Sequence, residues 1–172
     1  MFIRYFLELP LAAGQVEEVL GEAAPRWLET LAGEAGRHGE GLLATVGVGP
    51  LGPRLARPVR VGLSPPVRLA STTSIPMTWE PLGAEGLLPK LDADLEVGAL
   101  GPGRTQLAIS ARYQPPLGAL GRAVDRVLLH RVAEATVKDF LDRVGEAILD
   151  QAAAHGPGER MAADATVSRD PA

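Results

Sequence analysis

No cysteine occurs in the 172 residues. That excludes disulfides, thiolate nucleophiles, Cys-ligated zinc and thiol redox chemistry, and it fits a reducing cytoplasm. Basic residues are not in excess: 17 Lys and Arg stand against 21 Asp and Glu, a formal charge of -4. The arginines are scattered instead of forming one basic run with interleaved aromatics, which argues against nucleic acid as a partner. No apolar run reaches the roughly 20 residues needed to cross a bilayer. Met1 to Leu11 is apolar but carries Arg4 and Glu8, and it lacks the basic start and small-residue cleavage site of a leader peptide. A soluble, cytoplasmic chain is expected. Histidine is scarce, at positions 38, 130 and 155 only. His38 falls in a Gly-rich turn and His155 in a terminal tail, so a histidine metal site would need improbable convergence and no metal is expected. Neither Gly-x-Ser-x-Gly nor Gly-Lys-Ser/Thr occurs. The glycines of Val46 to Gly52 run into proline and another strand-like segment, not into a helix, so they make no phosphate loop and no cofactor is implied.

What the chain does have is alternation. From Lys90 to Val97, apolar residues occupy every second position and charged residues the others, the period of a strand with one buried face. Thr105 to Tyr113 repeats it, with Leu107, Ile109, Ala111 and Tyr113 on one side. Gly101-Pro102-Gly103 lies between as a turn, which makes a hairpin. Upstream, Thr73 to Trp79 places Ile75, Met77 and Trp79 on one face, and Val67 to Trp79 is one bent strand or two broken near Ser71. A first strand spans Phe2 to Leu9 and stops at Pro10. Two helices follow, Gly14 to Ala23 and Pro25 to Ala35. Glycines at 39 and 41 then reopen the chain into a strand over 42–48, and Val59 to Leu63 gives another. The carboxylates Asp92, Asp94 and Glu96 all point outward and read as a solvated face, not as a metal site.

An antiparallel sheet wet on one side must bury its other face, and the segment long enough to cover it is the proline-free helix after Pro115-Pro116. Stepping along that helix from Leu120 gives Ala123, Val127, His130, Glu134, Val137, Leu141, Val144 and Ile148. This is an apolar stripe interrupted by two titratable groups one turn apart. Either His130 and Glu134 face the space under the sheet, as a general acid and base or as an anchor for a polar group, or they form an ordinary i,i+4 pair at the helix edge. Ile75, Met77, Trp79, Leu91, Leu95, Leu107, Ile109, Tyr113 and Val127 are the candidate walls of a ligand site, and the same residues can equally be plain core. Tyr113 and Trp79 carry polar tips that want partners when buried, which favours a pocket.

The order of strand, two helices, antiparallel strands and long helix, with the phrase Tyr113-Gln114-Pro115-Pro116-Leu117-Gly118-Ala119-Leu120-Gly121-Arg122 leading into the last helix, resembles the START-like or SRPBCC superfamily. This is the polyketide cyclase/dehydrase and lipid-transport group. The resemblance covers about residues 1–150 and implies an α+β helix-grip (Bet v 1/START-like) fold, a curved antiparallel sheet wrapped around a long C-terminal helix with two short helices after the first strand. It implies a domain over 1–153 and leaves 154–172, rich in Gly, Pro, Ala and charge, as a flexible tail. It carries no catalytic motif onto this chain.

Three functions follow as alternatives. The first is binding of a small hydrophobic, lipid-like or polyketide-like molecule between sheet and helix. The second is a cyclase, aromatase or dehydratase in which His130 and Glu134 move protons. The third is a filled core with a structural or partner-binding role, a homodimer among the options. A cavity of at least about 300 Å³ with converging polar groups separates them. The usage of Ala, Gly, Pro and Arg is that of a GC-rich bacterial gene.

Overall fold

The computed structural model describes residues 2–21, 24–45, 59–81, 91–113 and 126–154. The elements in chain order are β1 (Phe2–Leu9), α1 (Ala13–Val19), α2 (Ala24–Thr45), β2 (Val59–Leu63), β3 (Val67–Arg68), β4 (Thr72–Pro81), β5 (Leu91–Gly101), β6 (Arg104–Tyr113) and α3 (Arg126–Ala154). The strands form one antiparallel sheet in the order β1-β6-β5-β4-β2, with β3 also on β4. The segment from Val67 to Trp79 is thus two strands, broken at residues 69–71. The expected β5–β6 hairpin closes through Pro102 and Gly103, with Gly101 paired to Arg104 and a bulge beside Ala99.

Alternation sorts the sheet into a wet face and a dry one. Register stacks the dry residues in rows across the strands: Val61, Trp79, Leu91 and Tyr113; then Leu63, Met77, Ala93, Ala111 and Ile3; then Ile75, Leu95, Ile109 and Tyr5; then Thr73, Val97, Leu107 and Leu7. The wet face carries Asp92 and Asp94, both exposed, and a polar network in which Glu96 accepts from Arg4 and Ser110. Pro76 sits within β4 at no cost to the β4–β5 ladder. Its carbonyl accepts from the Ser64 amide, so its missing N–H faces the gap between the end of β2 and the start of β3.

The helices lie on the dry face. α1 is pinned at one end of the sheet, where Glu17 accepts from the Thr73 hydroxyl at 2.5 Å and from Arg68 at 3.2 Å, and the fully buried Thr105 hydroxyl donates to the Leu11 carbonyl at 2.7 Å. α3 begins at the other end, where His130 meets Tyr113, and runs to where Gly145 faces Leu7 and Leu9 of β1. Val137, Leu141, Val144 and Ile148, the inward stripe read from the sequence, are all fully buried. Leu120 and Ala123 lie outside the described residues, as does the expected tail beyond Ala154.

α2 corrects the sequence reading. It is 22 residues long and runs unbroken to Thr45, so the expected strand does not form over 42–45, and 46–48 lie outside the described residues. His38, expected in a turn, is on the exposed side of this helix. Each interior glycine costs a helix about 1 kcal/mol relative to alanine, which is why Gly39 and Gly41 read as an ending. Packing reverses that. Leu28, Ala32, Ala35, Gly36 and Gly39 make a buried stripe of mostly small residues along α2, and the helix packs on α3. Arg143 of α3 fastens the pair from outside, 2.9 Å from Glu34.

Candidate ligand site at the Tyr113 end of the sheet

Tyr113 is the last residue of β6 and closes the first inward row, beside Leu91 and, one strand further, Trp79. All three are buried. Ala93 and Ala111 stand next to each other in the following row and keep the sheet floor low there, before Leu95 and Ile109 raise it again. Phe140 of α3 reaches toward this floor, its ring edge-on to Trp79 with centroids 5.5 Å apart and planes at 63°. Every sheet residue singled out from the sequence, Ile75, Met77, Trp79, Leu91, Leu95, Leu107, Ile109 and Tyr113, lies on this face with at most 5% of its surface exposed.

The polar groups are strung from inside to outside. The Tyr113 hydroxyl lies 3.4 Å from His130 Nδ1, and the two rings run nearly parallel, 17° apart. His130 Nε2 lies 3.3 Å from Glu134 Oε1. A carboxylate beside Nε2 favours the tautomer that carries its proton there, leaving Nδ1 to accept from the phenol. Burial falls along the chain, from Tyr113 at 2% exposed to a His130 side chain at 34% and a Glu134 side chain at 53%. Hence Glu134 stands at the helix edge in solvent, His130 half under the sheet, and the phenol inside. Val127 lies in the first turn of α3, and its side chain is outside the described residues.

Burial first, and the Glu134 carboxylate second, hold the Tyr113 phenol above its ordinary value of 10.0. The folded value exceeds the unfolded one, so the stabilisation is complete below the unfolded value and disappears as pH rises through the folded value. In alkaline denaturation followed by circular dichroism, stability should fall more steeply with pH in the wild type than in Tyr113→Phe. Equal alkaline slopes for the two proteins would refute the coupling.

Two groups escaped the sequence reading. Trp27 of α2 packs against the same core with its indole N–H buried and unpartnered among the described residues. A buried donor without an acceptor is costly. In the sequence Trp27 lies beside Leu28 and one turn before Leu31, where an indole reads as part of an apolar helix face and its donor goes unnoticed. Phe140 was missed because the stripe stepped from Val137 to Leu141 along a single line of the helix. Among the described residues no group of three or more His, Asp or Glu could hold a metal ion, and no helix is long and apolar enough to cross a membrane.

No family model matches the chain, and no curated protein matches it. Among solved structures, a conserved protein from Geobacillus kaustophilus is similar over 87% of this chain and 96% of that one, at 13% identity and a TM-score of 0.53. The Zhui aromatase/cyclase from a Streptomyces species aligns over 92% of this chain and 97% of its own, at 12% identity and a TM-score of 0.46. A START superfamily protein from Mycobacterium smegmatis aligns over 84% of this chain and 97% of its own, at 13% identity and a TM-score of 0.35. With its six-stranded antiparallel sheet and long final helix, the chain has a helix-grip fold of the α+β class. Fold alone does not fix an activity.

Proposed function

We propose that the protein binds a small hydrophobic molecule, lipid-like or polyketide-like, between the dry face of the sheet and α3 at the Tyr113 end. The observation that carries this reading is the run from Tyr113 through His130 to Glu134. It sets a polar anchor at the margin of an otherwise apolar surface, the arrangement by which a mostly apolar site orients its ligand. Ile75, Met77, Trp79, Leu91, Leu95, Leu107, Ile109 and Val127 supply the walls, and the hydroxyl of Tyr113 with the imidazole of His130 hold the ligand's polar end. The lack of cysteine supports action in a reducing cytoplasm.

The test is native mass spectrometry of the purified chain, then organic extraction and identification of what was bound. Titration of that molecule by quenching of Trp27 and Trp79, the two tryptophans of the chain, gives an affinity. His130→Ala should weaken it by about tenfold, the worth of one buried hydrogen bond, with little change in thermal stability because the side chain is half exposed. Unchanged affinity for the identified molecule would sink the assignment of His130.

The same run favours a second reading, an enzyme of the cyclase, aromatase or dehydratase type. Glu134 orients the imidazole, His130 exchanges protons with Tyr113, and Tyr113 presents its proton to a carbonyl or hydroxyl oxygen on the bound chain. Such an enzyme releases a ring-closed or dehydrated product when given a poly-β-keto substrate mimic, whereas a binder returns the mimic unaltered. A third reading, a filled core, draws on the contact of Phe140 with Trp79.

A further inference from the structure

β1 is a regular eight-residue strand with no proline, glycine or bulge, and among the described residues it pairs only with β6. Long unbroken edges invite another strand, and proteins usually protect them with like charges, proline or a bulge. Here the outward face carries Phe2, Arg4, Phe6 and Glu8. Both phenylalanines are 57% exposed. The two charges have opposite signs and sit symmetrically about Phe6.

That symmetry selects a partner. We propose that β1 is the edge through which two copies of this chain join their sheets, antiparallel, with the two-fold axis passing through Phe6. In that register Phe6 lies opposite Phe6 of the partner subunit, and Arg4 lies opposite Glu8 of the partner subunit on both sides of the axis. On the inner face Tyr5 meets Leu7 of the partner subunit, and Ile3 meets Leu9. A continuous sheet with matching faces permits only registers that shift the axis by whole residues along the strand. Centring on Arg4 or on Glu8 sets like charges opposite each other, and centring on Tyr5 sets each charge opposite a phenylalanine. The register at Phe6 alone pairs opposite charges, and cross-strand pairs of this kind favour it over its neighbours. An isologous contact of this type closes at two copies, because each chain uses the same edge. Arg4 and Glu8 already touch Glu96 and Arg104 within the chain, but those pairs are exposed, contribute little, and leave both side chains in reach of the partner.

Sedimentation equilibrium of the full chain over a concentration series tests this, with the dimer as the expected species at the upper end. Phe6→Lys should give a monomer with an unchanged circular dichroism spectrum. Arg4→Glu alone and Glu8→Arg alone should each weaken dimerisation by about tenfold, since each places two like-charge pairs across the axis. The chain carrying both exchanges should regain it. In that double variant Glu96 and Arg104 still face like charges, so recovery can come only from pairing between subunits. A wild type that stays monomeric at every concentration overturns the proposal. So does a dimer that survives Phe6→Lys, or a double exchange no tighter than either single one. If Phe6→Lys misfolds, the charge-exchange set decides alone.

Discussion

Phe140→Ala should cost about 3–5 kcal/mol of folding free energy, the range for removing a large aromatic side chain from a packed interior. Phe140 is fully buried in the middle of α3. Its ring is the contact through which the helix meets Trp79 on the sheet, at 5.5 Å between centroids, and edge-to-face geometry adds about 0.5–1.5 kcal/mol to the burial itself. The neighbourhood is poorly suited to collapse onto the space left behind. Trp79 is held in β4 by pairing on both sides, to Val61 and to Leu91, and α3 is held from behind by α2. Urea titration should show a lower midpoint at unchanged slope, the mark of lost stability without a change in the surface exposed on unfolding. Phe140→Leu should lose less than half as much. The result also bears on function. A loss at the lower end of the range for Phe140→Ala would mean that Phe140 already borders empty space, which favours the ligand-binding reading, and a loss at the upper end that the interior around it is filled.

The strands were legible because their burial is one-sided. Leu91 to Val97 alternates without exception, Leu107 to Tyr113 breaks step only at Ala108, which is apolar and buried on the other face, and one register satisfies both. A period of two survives any tertiary context that buries only one face. Helices α2 and α3 were harder because each has more than one neighbour. In α3, Val132, Ala133, Thr136 and Phe140 are buried beside the predicted stripe of Val137, Leu141, Val144 and Ile148, since the sheet covers one side and α2 another. A single line of helical steps cannot describe two contact faces, and it left open whether Glu134, 53% exposed, faces the space under the sheet or the helix edge. The candidate site was legible as a set of residues, because alternation put Trp79, Leu91 and Tyr113 on one face. The approach of Tyr113 to His130 was not, because it joins a strand end to a helix across a segment whose path no local rule dictates. α2 failed for a third reason. Glycine was weighed by its conformational cost, whereas at position 39 it serves a close approach between helices.

That close approach makes Gly39→Ala the most instructive stability variant after Phe140→Ala. On propensity alone the change should stabilise α2 by about 1 kcal/mol, because Gly39 is mid-helix and alanine loses less entropy on folding. Packing predicts the opposite sign. A Cβ built on Gly39 would overlap the Thr136 hydroxyl of α3. Thr136 is itself buried and donates to the Val132 carbonyl at 2.8 Å, so it cannot turn aside freely. Separating the helices to make room would loosen the whole Leu28 to Gly39 stripe, and overpacking of this kind costs about 1–3 kcal/mol. The net expectation is a loss of up to about 2 kcal/mol, with packing outweighing propensity. Thr136→Ala removes the overlapping oxygen and leaves the Thr136 Cβ position 3.4 Å from the new methyl, an ordinary contact. Alone it should be close to neutral, since the carbonyl it releases is already part of the α3 ladder and alanine is the better helix former. The two substitutions together should therefore be at least as stable as Thr136→Ala, with a coupling energy of about 2 kcal/mol in the double-mutant cycle. A Gly39→Ala protein more stable than the wild type, or a double variant that shows no recovery, would mean that α2 and α3 do not meet at this point.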